Sequence, residues 1–297
     1  MPAALSHALL AEKVLAMLHQ DRPDLNIREA GYFWGAQGPD FFFFHRFLPW
    51  QKGESLQEYG GRLHEAPPAQ TLQRMRVYIK AHPDRTEAAS YVLGFLTHFA
   101  FDSTAHPFVR YGARQLHLQQ QPSTEDTCHN AIESALDVIL LRYEKAGLPT
   151  DVNLKKLVSP DKAAQTEIAA LYRELLSGIF GAEVSDQKLL EALSDCRSTL
   201  GLITDRTLIK RPFLQWVERK RKSPPTLSCH LRGISEGDDY DYANILQAEW
   251  SWPPESEQVR TESFLELYEQ AAVYAEQLIL GFLSGESMKT LVGERTF

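Results

Sequence analysis

Residues 91–109 read YVLGFLTHFAFDSTAHPFV and set His98, Asp102 and His106 at positions i, i+4 and i+8. Four helical residues give about 6 Å of rise and ~40° of rotation, so neighbours in this set share a face. The rest of that face is apolar, with Tyr91, Gly94, Phe95 and Phe99 around it. Ionisable groups on a buried apolar face are costly unless they are paired or bind a metal. The next helical stretch repeats the spacing with His129, Glu133 and Asp137. Each of these residues alone has an ordinary explanation: a hydrogen-bonded core histidine, an aspartate at a kink, a glutamate beside an arginine. Two such strings on consecutive helices favour a site with more than one metal. Imidazole and carboxylate donors without thiolate suit Zn²⁺, with Mn²⁺ or Fe as alternatives.

Helical periodicity supplies the elements that must position these groups. Leu5, Leu9 and Val14 begin an amphipathic helix that Ser6 or a neighbour would cap. The His98 helix is bounded in the sequence by Pro83 and Pro107. Pro107 disfavours α conformation at the residue before it, which puts His106 at a frayed helix end. Ile132, Leu136, Ile139, Leu140 and Tyr143 mark the next helix, which Gly147 and Pro149 end. Further helices are predicted at about 161–180, 187–203, 206–222 and 261–284, the last with an apolar stripe from Phe264 to Phe282. Residues 35–50, 145–160 and 223–257 read as irregular. Alternating strand patterns and hairpin signals are nearly absent. The expectation is an all-α protein, one domain over residues 1–297, with the chemistry in 1–145 and helical completion in 146–297.

Composition removes several classes. The 297 residues carry 31 Lys and Arg against 39 Asp and Glu, a net charge of −8, which argues against a protein that holds duplex nucleic acid by neutralising phosphates. An acidic chain is still compatible with an enzyme that meets a phosphate through metal ions. The first 18 residues contain Glu12 and Lys13 and no small-residue cleavage site, so no secretory signal is indicated, and no stretch approaches a membrane span. Cys128, Cys196 and Cys229 are widely spaced and form no CxxC, which points to a reducing, cytoplasmic setting.

His7, the run Gly35-Ala36-Gln37-Gly38-Pro39-Asp40 followed by four Phe, Gly61-x2-His64, the His98/Asp102/His106 string and His129/Glu133 together resemble the bacterial zinc-dependent phospholipase C family, which is related to the zinc-dependent single-strand nucleases. The resemblance covers roughly residues 1–140. It implies an all-α fold with two to three zinc ions in a cleft. By position, Asp40, His64 and His98 would bind one ion, and Asp102 would bridge it to another held by His7. His106, His129 and Glu133 would bind the remaining ion. Helix geometry agrees with that division, because His98 and His106 lie about 12 Å apart along the axis with Asp102 between them. Paired zinc ions lower the pKa of a bound water and polarise a phosphoryl oxygen, so a phosphodiester hydrolase needs no nucleophilic side chain. Asp40 is the residue expected to act as both ligand and base, and Thr97 and Asp137 are candidates to support the ligands.

The leading expectation is therefore a zinc-dependent phosphodiester hydrolase acting on a phospholipid or small phosphodiester. A single-strand nuclease or another phosphoesterase would use the same site, and a non-catalytic protein stabilised by metal would use the same ligands with no open position. Secreted relatives expose an N-terminal tryptophan whose amine binds zinc. This chain has none, but Pro2, exposed on removal of Met1, stands five residues before His7 and could supply that amine. The FFFF run at 41–44 reads as buried aromatic packing, Arg219-Lys220-Arg221-Lys222 as a solvated helix end, and Trp250 with Trp252 as core closure.

Overall fold

The computed structural model describes residues 3–48, 51–119, 123–223, 225–234 and 240–297; Pro2 therefore lies outside the described residues. The helices are α1 (Ala4–Asp21), α2 (Glu29–Ala36), α3 (Gln57–Glu65), α4 (Pro68–Ala81), α5 (Thr86–Gln119), α6 (Glu125–Lys145), α7 (Lys162–Phe180), α8 (Asp186–Leu202), α9 (Lys210–Arg221), α10 (Phe264–Ser284) and α11 (Met288–Val292). The described residues contain no strand, only an isolated antiparallel bridge between Trp250 and Arg260. The protein is all-α. No helix among the described residues is long and apolar enough to cross a membrane.

The long helix α5 is the axis of the molecule, and α1, α2, α6, α7 and α10 pack on it. Most of its residues from Ala88 to Leu116 are buried, which is why its sequence reads apolar on nearly every side. Helix α2 lies against α5 at backbone distance. A Cβ on Gly35 would run into the Tyr91 carbonyl, and one on Gly94 into the Tyr32 carbonyl, so the absent side chains set the spacing. That spacing brings the 3-10 segment Gly38–Phe44, and with it Asp40, onto the His98 face. The Tyr91 hydroxyl donates to the Gly38 carbonyl at 2.8 Å and lies 2.6 Å from the Tyr172 hydroxyl, tying that segment to α5 and α7.

Four expectations are corrected here. Helix α5 does not end at Pro107 but runs through it to Gln119. Proline removes one backbone N–H from the ladder, and the burial of Phe108, Val109, Ala113 and Leu116 beyond it offsets that loss. His106 consequently sits within the helix and not at a frayed end. Ser6 does not cap α1, which starts at Ala4; its amide and hydroxyl instead donate to Asp137 at 2.7 and 2.6 Å. Residues 35–50 are not irregular throughout, since α2 extends to Ala36 and the 3-10 segment follows it. The helix expected at 206–222 begins at Lys210.

Phe41, Phe42 and Phe44 are buried, as the aromatic-packing reading expected, and Trp250 is buried with its indole N–H donating to the Glu262 carbonyl at 3.0 Å. Helices α6 and α10 begin at side-chain caps: Thr124 Oγ1 accepts the Thr127 amide at 3.1 Å, and Ser263 exchanges bonds with Glu266.

Candidate metal centre

His7 comes from the first turns of α1, Asp40 from the 3-10 segment, His64 from the last turn of α3, His98, Asp102 and His106 from α5, and His129 and Glu133 from α6. The other seven residues converge on Asp102, directly or through one neighbour. The Asp102 carboxylate, 2 % exposed, is surrounded by imidazoles on both sides. Its Oδ1 lies 3.2 Å from His7 Nε2 and 3.4 Å from His106 Nε2. Its Oδ2 lies 3.1 Å from His98 Nε2 and 3.6 Å from His64 Nε2. Asp40 Oδ1 is 3.2 Å from His64 Nε2, and Glu133 Oε1 is 3.1 Å from His129 Nε2 and 3.7 Å from His106 Nε2.

Three groups have donor atoms close enough together to hold a cation: His7, Asp40 and His98; His64, His98 and Asp102; and His106, His129 and Glu133. The last group is the set expected from the sequence. The first two share His98 and bring His7 beside Asp40 as well as beside Asp102. The donors fit a metal for further reasons. His98 Nε2, Asp40 Oδ1 and Asp102 Oδ2 are buried without an aligned hydrogen-bond partner among the described residues, an expensive arrangement unless a cation takes the lone pairs. A cavity of about 20 Å³, room for one ion or water, is bounded by His7, Asp102, His106 and Glu133. No cysteine belongs to any of these groups, so the donors are the nitrogen and oxygen set that suits zinc.

The tautomer of His64 is fixed by its own helix. Its Nδ1–H donates to the Gly60 carbonyl at 2.7 Å, which leaves Nε2 as the ring atom that faces the carboxylates. Burial opposes charge on this ring, but the Asp102 and Asp40 carboxylates close to its Nε2 outweigh it and push the His64 pKa up to about 10. Burial works to raise the Asp102 pKa, yet the surrounding His106, His98 and His7 hold its carboxyl well below the usual range. Asp40 is likewise lowered, against burial, by His64 and His98.

Gly38 takes φ +53°, and a Cβ there would overlap the His98 ring, so this glycine lets the 3-10 segment press against His98. Asp137 is not in the cluster. It accepts from Ser6 and pairs with the buried Arg232, pinning the turn of α1 that carries His7. Thr97 bonds Tyr32 and the Leu93 carbonyl and reaches no residue of the cluster through those bonds. Arg232 and Phe297 were not foreseen. The Phe297 ring packs 5.0 Å from the His64 ring and 6.0 Å from that of His98, and no local pattern in the sequence links it to them.

A fourth group, His45, Glu191 and Asp195, has comparable spacing but different chemistry. His45 Nδ1 accepts the Leu56 amide at 2.9 Å, so the ring proton sits on Nε2 and no lone pair is free there. The cation is already present, because Arg46 grips Glu191 with both oxygens at 3.1 Å and its amide donates to Asp195.

Residues 6–183 match the family model of zinc dependent phospholipase C. The chain belongs to that family. The match spans every residue of the cluster and continues through α7, further than the resemblance read from the sequence, which ended near residue 140. Members of the zinc-dependent phospholipase C family are hydrolases, and the His and carboxylate groups described above are able to bind metal in this one. No curated protein and no solved structure matches the chain.

Proposed function

We propose that this protein is a zinc-dependent phosphodiester hydrolase of the phospholipase C type, and that residues 1–297 form one domain. The observation that carries the reading is Asp102, whose two oxygens each face two imidazoles deep in the fold. A purely structural ion pair has no need of four histidines around one carboxylate. Asp40, His64 and His98 would hold one zinc ion, His7 and Asp102 a second, with Asp102 shared between them, and His106, His129 and Glu133 a third. Zinc bound there supplies positive charge that acidifies water and stabilises the charge developing on phosphoryl oxygens.

The chain's own residues supply the rest. Asp40 is 15 % exposed, the most open carboxylate of the cluster, and is held ionised; it is the group placed to accept a proton from water. His64, locked by the Gly60 carbonyl, orients its Nε2 toward the reacting space. Phe43 and Phe297, whose rings lie 5.8 and 5.0 Å from the His64 ring, form an apolar wall that limits water on that side. His64, His106 and His129 are partly exposed and line the rim from which a substrate enters. The one-domain reading is supported by α10 packing on α5 and by Phe297 packing on the ligands.

The test is a panel of short-chain phosphatidylcholine, a soluble aryl phosphodiester and single-stranded DNA, offered to zinc-loaded protein. Chelator-sensitive release of the phosphorylated headgroup is the expected result. Hydrolysis of DNA alone would assign the site to a nuclease, and no hydrolysis of any substrate would leave a metal-stabilised binding protein.

A further inference from the structure

Helix α9 buries almost nothing in its own fold. Of Lys210–Arg221 only Glu218 is buried, and it is anchored by polar bonds: its carboxylate accepts from the Leu227 amide at 2.7 Å, the Ser228 amide at 3.1 Å and the Ser228 hydroxyl at 2.5 Å. Ser134 of α6 in turn donates to the Cys229 carbonyl at 2.7 Å, which ties this turn and its helix to the helix that carries His129 and Glu133. The apolar residues face solvent instead. Ile209, Phe213 and Trp216 are 68 %, 59 % and 53 % exposed. Their spacing of four and three puts them on one face, and the Phe213 and Trp216 rings stack with centroids 6.3 Å apart. Leu202 and Leu227 extend the exposed patch.

Charge borders the patch at its C-terminal end. Arg219, Lys220, Arg221 and Lys222 follow Trp216, the Lys210 ammonium donates to the Leu202 and Thr204 carbonyls, and the single carboxylate of the helix, Glu218, is turned inward. This basic surface stands on a chain whose net charge is −8. Beside it lies an apolar cavity of about 330 Å³, whose lining includes Phe213, Leu214, Leu202, Phe47 and Leu231. Phe47 continues the segment that carries Asp40. An exposed aromatic and aliphatic stripe bordered by Lys and Arg is the pattern of a helix that lies in a lipid interface. Single-stranded nucleic acid also uses aromatic and basic residues, but Ile209, Leu202 and Leu227 offer no ring on which a base could stack.

We propose that α9 is the surface by which this protein docks on an anionic lipid bilayer, with Ile209, Phe213 and Trp216 entering the acyl boundary and the 219–222 basic groups meeting headgroups. The choice of a lipid surface rests on the phospholipase C reading. Docking would set the cavity beside Phe213 against the acyl region, on the side of the segment that bears Asp40.

The experiment is flotation of the full, zinc-loaded chain with vesicles of phosphatidylcholine alone or mixed with phosphatidylglycerol, headgroup release being followed in the same tubes. Flotation with the anionic vesicles is expected, weakened by salt. Phe213→Ser/Trp216→Ser and Arg219→Gln/Lys220→Gln should each weaken it about tenfold or more, with hydrolysis of a soluble phosphodiester unchanged. A blue shift of tryptophan fluorescence on anionic vesicles should disappear in Trp216→Phe. Absence of flotation, or flotation that survives both double variants, overturns the proposal. So does binding of single-stranded DNA that both variants lose while vesicle binding persists. Flotation without headgroup release would uphold docking and count against the hydrolase reading alone.

Discussion

His7 Nε2 lies 3.2 Å from Asp102 Oδ1, so the first helix closes on the middle of the longest one at the centre of the cluster. The contact does not rest on those two residues alone. One residue before His7, Ser6 is held by Asp137, which Arg232 also holds, and all three are buried. Helix α1 is thus joined to α5 through His7 and Asp102 and to α6 through Ser6 and Asp137.

Asp102→Asn keeps the volume and removes the charge. An amide offers one oxygen where the carboxylate offers two, so it cannot serve His7 and His106 on one side and His98 and His64 on the other. Zinc content should fall by at least one ion per chain and turnover by ~10²-fold or more, while the helical circular dichroism persists. Elemental analysis and steady-state rates check this. A variant with near-native turnover would remove Asp102 from its bridging role.

Metal removal should loosen the whole fold, because the ligands come from α1, α3, α5 and α6 as well as the Asp40 segment. A ligand that binds only the folded state adds about 4 kcal/mol at a thousand times its Kd. The thermal midpoint should therefore fall on dialysis against chelator and rise with the logarithm of free zinc. Calorimetry at several zinc concentrations decides it; a midpoint indifferent to zinc would mean that the sites do not bind it in the native state.

Gly38→Ala tests how closely the Asp40 segment is fitted to the ligand. The added methyl meets the His98 ring and must also accept φ +53°. At Gly181, which takes φ +65°, an added methyl meets nothing within 4 Å, so Gly181→Ala carries the backbone cost alone, about 1 kcal/mol. Gly38→Ala should cost clearly more than this control and weaken zinc binding about tenfold or more. Equal denaturant midpoints for the two variants, with equal zinc affinity, would show that the segment can withdraw without loss.

The parts that were legible in the sequence are those whose signal is local. His98, Asp102 and His106, like His129 and Glu133, declare themselves by helical spacing, and the helices carrying them follow from apolar periodicity. Pro107 misled because its preference is also local, whereas the packing of Phe108 to Leu116 that overrides it is tertiary. The Asp137–Arg232 pair and the seat of Phe297 against His64 join distant stretches of chain, and nothing in either stretch announces the other. Arg219 to Lys222 were correctly read as a solvated helix end. Their possible use depends on Ile209, Phe213 and Trp216 staying exposed, which an apolar count alone would have put in a core.

His230 gives a pH dependence whose sign can be worked out. The ring lies beside Phe47 at 6.0 Å, and burial pushes its pKa down to about 4 from 6.5, with Arg232 acting the same way and Glu133 opposing. An unfolded chain takes up this proton below about pH 6.5, whereas the folded protein refuses it until about pH 4. The unfolded state therefore binds more protons across that window, and folding stability falls as the pH drops through it. Between pH 8 and pH 5 the loss from this residue amounts to about 2 kcal/mol. His230→Phe keeps a ring in contact with Phe47 and removes the titration. Urea unfolding of both proteins at the two pH values should show the wild type losing about 2 kcal/mol more than the variant, a difference that also cancels the titration of the ligand histidines common to both. Equal losses would mean that His230 is hydrated enough in the native state to keep its ordinary pKa.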